Sequence, residues 1–288
     1  MKYIYTKFIK ILIYFFGIIK AKEIDALIRF KKRIDIENPK KLSEKLCYLE
    51  LVDFDDKTII CTDKIGVRSY LRKMGFEKYL IPIVAGPCES TKEIVYDSLP
   101  KSFVIKANHG CRMNYIVKDK DTNDVEHMFA TLDKWLNTTY GEYSIEPHYS
   151  KIKPLIYAEE MLMDRNLKDY KIFCMNGIPR FIEVCFNRID NKSEGMKVNL
   201  ALYDFDWKRI DGVTEKYHSK EEIDKPDVLD KMYSIARDIS KDFKFVRVDL
   251  YYCNNQIYIG ELTFTPACCY LANLTNEFDT KMGEYLSI

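Results

Sequence analysis

No C-x-x-C pair occurs in this sequence, although it carries nine cysteines. The adjacent Cys268 and Cys269 cannot readily close an unstrained mutual bridge, so reduced cytosolic thiols are expected rather than a disulfide framework. Histidine is scarcer still. His109, His127, His148 and His218 show no H-E-x-x-H spacing, and zinc is not expected. The whole chain lacks an excess of either charge, its net charge being +1, which removes support for general nucleic-acid binding. No apolar run is long enough to cross a bilayer, and there is no internal repeat or low-complexity segment. No Ser/His/Asp or Cys/His pattern offers a protein nucleophile.

What is present is an ordinary globular balance, 31% charged and 47% hydrophobic, in 288 residues that can bury a sizeable core in two or three lobes. Near-neutrality hides an asymmetry. The first forty residues carry ten Lys/Arg against four Asp/Glu, leaving thirty-five against forty in the remainder. They include "FIKILIYFFGII", an apolar run broken by Lys10 and bordered by Lys2, Lys7, Lys20 and Lys22. A surface-lying helix fits this pattern, and no small-residue cleavage site follows it. Two readings stay open for it: contact with the inner face of the cell membrane, or packing on the catalytic body or on a second subunit.

Downstream, "EKLCYLELVD" reads as a helix with Ser43 as candidate N-cap, and "DKIGVRSYLRKMG" as a helix ending at Gly75. "YLIPIVAG", "SFVIKAN", "NYIVKD" and "LIYAEEML" read as strands, with "DVEHMFATLDKWLNTTY" a helix among them. Asn176-Gly177 in "KDYKIFCMNGIPRFIEVCF" is a strong hairpin signal. "KPDVLDKMYSIARDISKDF" reads as a helix with Pro226 in its first turn. The expected divisions are a basic helical segment over 1–37, an amino-terminal lobe over 38–100, a central lobe over 101–163 and a carboxy-terminal lobe over 164–288.

The stretch "VRVDLYYCNNQIYIGELTFTP" places Arg247, Asp249 and Glu261 in what looks like a β-hairpin. If the loop is Asn254, Asn255 and Gln256, Asp249 faces Glu261 and Arg247 faces Thr263 on one side of the sheet. Two opposed carboxylates repel unless a cation lies between them, and hard oxygen ligands suit Mg²⁺. If the loop has two residues, the register shifts by one and the acids become solvated charges on opposite faces. The hairpin alone leaves both open.

Seven ordered blocks, "NPKKLSEKLCYLELVD", "DKIGVRSYL", "SFVIKANHG", "AEEML", "DYKIFCMNG", "FVRVDLY" and "GELTFTP", resemble the ATP-grasp superfamily. The likeness is closest to its teichuronic-acid-biosynthesis, TupA-like branch of polysaccharide-modifying proteins, and runs from about Asn38 to Gly283. It implies an α+β fold of the ATP-grasp type, with nucleotide between two α+β lobes and a helical or small α/β lobe ahead of them. It implies ATP and Mg²⁺ as cofactors. Lys106 and Lys64 become phosphate contacts, and "HGCRMN", with His109, Gly110, Arg112 and Asn114, corresponds to the phosphate-covering loop, here with a single glycine. "AEEML" resembles the adenine hinge: Glu159 accepting from the adenine amino group beside Glu160, Met161 offering backbone groups, Leu162 packing the base, and Asp169 accepting from ribose. Asp249 and Glu261 match the metal carboxylates, so the resemblance selects the same-face register. Arg247 matches the cation steadying the transferred phosphoryl group, and Lys171 could reach phosphate or substrate. Thr263 stands where an asparagine ligand is common.

The implied chemistry is ATP-dependent ligation of a carboxylate to an amine through an acylphosphate, releasing ADP and phosphate. The implied substrates are a uronic-acid carboxylate of a surface polysaccharide or its lipid-linked precursor, and an amino acid or small amine. The alternatives are a glycosyltransferase of the same pathway, for which "YDFDW" supplies a D-x-D at Asp204 and Asp206, and a non-catalytic ATP-binding protein.

Overall fold

The computed structural model describes residues 2–142, 144–164, 167–191 and 195–288. Its helices are α1 (Lys2–Phe30), α2 (Leu42–Val52), α3 (Asp56–Thr62), α4 (Gly66–Lys73), α5 (Val125–Leu136), α6 (Leu229–Ser240) and α7 (Asn276–Gly283). Its strands are β1 (Ile83–Cys88), β2 (Phe103–Ala107), β3 (Asn114–Val117), β4 (Ile156–Glu160), β5 (Asp169–Met175), β6 (Ile178–Asn191), β7 (Gly195–Tyr203), β8 (Arg209–Ile210), β9 (Phe245–Cys253) and β10 (Gln256–Thr263). The architecture is α+β, as expected, and divides into two compact units. One comprises Met1–Phe54, Tyr143–Ile145 and Asp164–Ile288; the other comprises Asp55–Glu142 and Glu146–Met163.

The first unit is built on a six-stranded antiparallel sheet in the order β10-β9-β5-β6-β7-β8. Strand alternation gives it two different faces. Helix α6 covers one, burying Leu229, Met232, Ile235, Ala236 and Ile239 at helical spacing. It begins at Leu229, whose N–H donates to the Pro226 carbonyl, so Pro226 precedes the helix instead of lying in its first turn. The opposite face carries an aromatic core in which Phe173 and Phe181 stack at 4.4 Å and Phe278 of α7 meets Phe181 edge-on at 5.0 Å. Helix α2 joins this core through Leu42, Leu46 and Cys47. Ser43 is not its N-cap. Glu44 instead accepts from the N–H groups of Lys40 and Lys41 at 2.9 Å, and the Ser43 hydroxyl and N–H both donate to Asp279.

Helix α1 is interrupted at Gly17, whose φ of 78° departs from helical geometry. Lys22, read from sequence as a basic flank of a surface helix, is fully buried: its ammonium lies 2.7 Å from Glu50 and donates to the Ser144 and Ile145 carbonyls. Among the described residues no helix is long and apolar enough to cross a membrane.

The second unit holds a four-stranded antiparallel sheet ordered β1-β4-β2-β3, packed by α5 through Met128 and Leu132. Asp124 caps α5 by accepting from the His127 N–H at 2.9 Å, and Asp55 caps α3 in the same way through Thr58.

Two hairpins of the first unit decide where its charged residues fall. Asn254 and Asn255 both adopt positive φ, 51° and 59°, so the β9–β10 loop has two residues and pairs Cys253 with Gln256. This corrects the three-residue loop. Continued unbroken, that ladder would set Gly260 opposite Asp249, but a bulge absorbs Gly260 and restores Glu261 opposite Asp249 and Thr263 opposite Arg247. A Cβ on Gly260 would come within 2.6 Å of the Tyr251 ring, which is why the extra residue is glycine. The β5–β6 hairpin repeats the device. Asn176 and Gly177 form the two-residue turn, and a bulge absorbs Arg180, which moves Glu183 opposite Lys171 where an unbroken ladder would put Ile182.

Candidate functional site

In the first unit the two bulges produce one row of charge across four strands. Glu261 on β10 faces Asp249 on β9, Asp249 faces Lys171 on β5, and Lys171 faces Glu183 on β6. Asp169 and Arg247 lie two residues from Lys171 and Asp249 on their own strands and so share the face. Arg247 grips Asp249 bidentately, Nε to Oδ1 and Nη2 to Oδ2, each at 2.6 Å. The same Nη2 reaches the Thr263 hydroxyl at 3.1 Å and Glu261 at 3.4 Å, and the Thr263 hydroxyl donates to Glu261 at 2.9 Å. Lys171 bridges Asp249 at 2.6 Å and Asp169 at 2.7 Å.

Burial sharpens this electrostatics. Asp249, Asp169 and Glu183 are almost wholly buried, whereas the Glu261 side chain keeps about a third of its surface open. Burial and Arg247 press the Lys171 ammonium down, but Asp169 and Asp249 outweigh them and hold it above its ordinary range. Arg247 is likewise disfavoured by burial and lifted above its ordinary value by Asp249, then Glu261 and Glu183. Burial pushes the Glu183 carboxyl up, against the pull of Arg247 and Lys171. Four carboxylates thus share two cations, and the most exposed acid, Glu261, stands beside a hydroxyl.

The second unit gathers the other set. Lys106 on β2 forms an ion pair with Glu159 on β4, the two lying diagonally across paired strands. The Glu159 side chain therefore points at Lys106. Glu160 ends β4 with an exposed side chain, while its N–H donates to the Pro82 carbonyl; the half-buried Met161 and Leu162 follow. Lys64, just ahead of α4, donates to the Gly110 carbonyl at 2.6 Å, which brings it to the loop between β2 and β3. Gly110 fits closely against Tyr140, whose ring would stand 2.7 Å from an added Cβ. Arg112 is exposed with φ 59°, and Asn114 opens β3 opposite Lys106. The His109 imidazole is turned inward among Asn108 Oδ1 and the Trp135 and Thr138 carbonyls, each at 3.2 Å. Burial lowers its pKa, outweighing those carbonyls, so the ring braces the loop in its neutral form.

Sequence reasoning missed Glu183 and its partner Asn273, whose amide donates to Glu183 at 2.6 Å. The available signal was a lone acid inside the apolar run "FIEVCF"; without the bulge at Arg180 its register points elsewhere. The D-x-D pair proves to be turn chemistry, since Asp204 Oδ1 accepts from the N–H groups of Asp206 and Lys208 at 3.0 and 2.7 Å.

The family described as TupA-like ATPgrasp matches residues 44–287. The chain belongs to the TupA-like ATP-grasp family. Its solved structural neighbours include a D-alanine–D-alanine ligase from Bacillus anthracis, 17% identical, with a TM-score of 0.46 over 78% of this chain and 63% of that one. A D-alanine–D-alanine ligase from Helicobacter pylori is 11% identical, with a TM-score of 0.43 over 86% and 70%. An N5-carboxyaminoimidazole synthase from Aspergillus clavatus is 12% identical, with a TM-score of 0.40 over 85% and 50%. The chain therefore spans less than two thirds of the Bacillus enzyme and half of the Aspergillus one. Among curated proteins none matches it.

ATP-grasp enzymes use ATP with Mg²⁺. The donor chemistry of this TupA-like chain fits the metal: Asp249, Glu261 and Thr263 offer only hard oxygens, in a row whose acids outnumber its cations. The second unit carries two lysines of the implied set, Lys64 on the Gly110 carbonyl and Lys106 on Glu159.

Proposed function

We propose that this TupA-like protein is an ATP- and Mg²⁺-dependent carboxylate–amine ligase. The observation that carries the reading is the Glu261–Asp249–Lys171–Glu183 row, with Arg247 braced across it, in a chain of ATP-grasp family. Asp249, Glu261 and Thr263 would hold Mg²⁺, which when bound neutralises charge on the transferred phosphoryl group. Lys64 and Lys106 would position the phosphates, with Gly110, Arg112 and Asn114 in the loop covering them. Glu159 orients Lys106, and the backbone of Glu160 and Met161 would meet adenine while Leu162 packs it. Asp169 would accept from ribose, leaving Lys171 shared with Asp249.

The reaction follows from positioning rather than from a protein nucleophile. A substrate carboxylate oxygen attacks the γ-phosphorus and ADP leaves; an amine then attacks the acylphosphate carbonyl, phosphate leaves, and the nitrogen gives up a proton as the amide forms. Arg247 and Lys171, kept cationic by their carboxylates, would meet the negative charge that develops on phosphoryl oxygens. The substrate pair we favour is a uronic-acid carboxylate of a surface polysaccharide or its lipid-linked precursor, with an amino acid or small amine.

Equal ADP and phosphate should appear only when carboxylate and amine are both supplied. AMP and pyrophosphate would overturn the acylphosphate route, and binding of Mg·ATP without acceptor-dependent turnover would make the protein a nucleotide binder. Loss of an amide-linked substituent from the surface polysaccharide of a deletion strain tests the substrate class.

A further inference from the structure

Arg68 is buried in α4 together with Val67 and Leu71, a place where an arginine is rare unless it is paired. Its Nη2 donates to the Ile81 carbonyl at 2.6 Å. Its Nε is buried too and finds no acceptor among the described residues. Ile81 leads through Pro82 into β1, and this stretch runs beside the end of β4. Ile83 pairs with Glu159, and the Pro82 carbonyl accepts from the Glu160 N–H at 3.0 Å. Strand alternation sets Tyr157 and Glu159 on one face of β4. Burial is the largest influence on the Arg68 pKa and lowers it, while Tyr157 and Glu159 draw it back up, so the Glu159 charge reaches the guanidinium. The carboxylate itself is taken, since Glu159 pairs with Lys106. All of these groups belong to the second unit.

Arg68 and Lys106 thus act on one buried carboxylate, and Lys106 holds it. The proposed function asks Lys106 to meet phosphate, whose negative charge competes with Glu159 for the same ammonium. If Lys106 turned to phosphate and nothing replaced it, Glu159, 4% exposed, would keep its charge in the interior without a counter-ion. An ionised carboxylate has lone pairs for a second donor, and Arg68 has an unspent one. We propose that Arg68 is a positioning residue of the nucleotide site, the counter-ion that takes up Glu159 through its Nε–H when ATP phosphate draws Lys106 away. Its bond to Ile81 keeps the guanidinium beside β4 in both states. The proposal rests on the reading of Lys106 as a phosphate contact and does not need the ligase chemistry.

Equilibrium binding of Mg·ATP and of adenosine, which carries no phosphate, tests the exchange in the full chain. Arg68→Met should weaken Mg·ATP by at least about tenfold and adenosine by less than about threefold, because only the triphosphate strands Glu159. Adding Glu159→Gln to Arg68→Met should recover most of the lost affinity, since no charge is then stranded. Equal loss for the two ligands would reduce Arg68 to a brace on Ile81 and overturn the proposal, as would unchanged Mg·ATP binding or no recovery in the double variant. If Arg68→Met does not fold, nuclear magnetic resonance of the wild-type protein decides. The Arg68 Nε–H should exchange with solvent at least about tenfold more slowly with Mg·ATP than with adenosine, and equal rates refute the exchange. Wild type that binds no Mg·ATP overturns the nucleotide reading and this proposal together, whereas wild type that binds it and fails these contrasts overturns this proposal alone.

Discussion

Asp249 accepts two hydrogen bonds from Arg247 and one from Lys171 and faces Glu261, so every group in the row depends on its charge. Glu261 is the residue to alter first, because it is the most open acid and Glu261→Gln keeps its shape. Amide formation should fall at least about a hundredfold, with the fold retained and Mg²⁺ dependence blunted. Asp249→Asn should do the same while also loosening Arg247 and Lys171, so its thermal transition should drop further than that of Glu261→Gln. Near-normal turnover in either variant would remove the metal site. Tyr170, on the α6-facing side of β5, gives a pH prediction. Burial, then Asp164, Asp227 and Tyr252, pushes its phenol up to about 12 from 10.0. The folded chain therefore keeps a proton that the unfolded chain loses above pH 10.0, so this stabilisation is complete below that pH and is lost as pH rises to about 12. Tyr170→Phe should lack this part of the alkaline decline in urea titrations between those limits, and an unchanged slope would refute it.

At the scale of elements, the bulges at Gly260 and Arg180 carry the site. They convert two tight Asn-based turns, which by themselves would set Asp249 opposite Gly260 and Lys171 opposite Ile182, into a same-face row. The turns were legible because Asn254-Asn255 and Asn176-Gly177 tolerate positive φ. The bulges were not, since nothing local distinguishes an absorbed residue from a paired one. Correct opposition of Asp249 and Glu261 was thus reached through the wrong loop length. A contrast between two variants tests this account. Gly260→Val forces a Cβ onto the Tyr251 ring and should cost about 1–3 kcal/mol in denaturant unfolding, with reduced turnover. Deleting Gly260 removes the bulge yet leaves Glu261 opposite Asp249 in an unbroken ladder, so it should spare more activity than the substitution. The reverse order would sink the bulge account.

At the scale of the whole molecule, the buried Lys22–Glu50 pair ties the second half of α1 to α2 within the first unit. Lys22→Met leaves the Glu50 charge in the interior and should destabilise by about 3–5 kcal/mol, whereas Lys22→Met with Glu50→Leu should recover most of the loss. The same pair governs truncation. A chain starting after Gly17 keeps Lys22 and should remain soluble, while one starting after Lys22 strips Glu50 of its counter-ion and should aggregate. Equal solubility and equal melting of the two truncations would show that the pair carries no stability.

Ordered motif blocks and strand periodicity determined the α+β class, the family and the identities of the charged residues, because these depend on local chemistry read along the chain. The tertiary structure alone decided that Glu183 joins the row, that Glu159 meets Lys106, that the His109 ring turns inward and that Lys22 is buried. Each of these depends on which strand or helix lies opposite, and register resets whenever one residue is absorbed by a bulge. Burial then fixes the outcome: an acid or lysine that reads as a surface charge in sequence must find its counter-ion once packing has removed it from water.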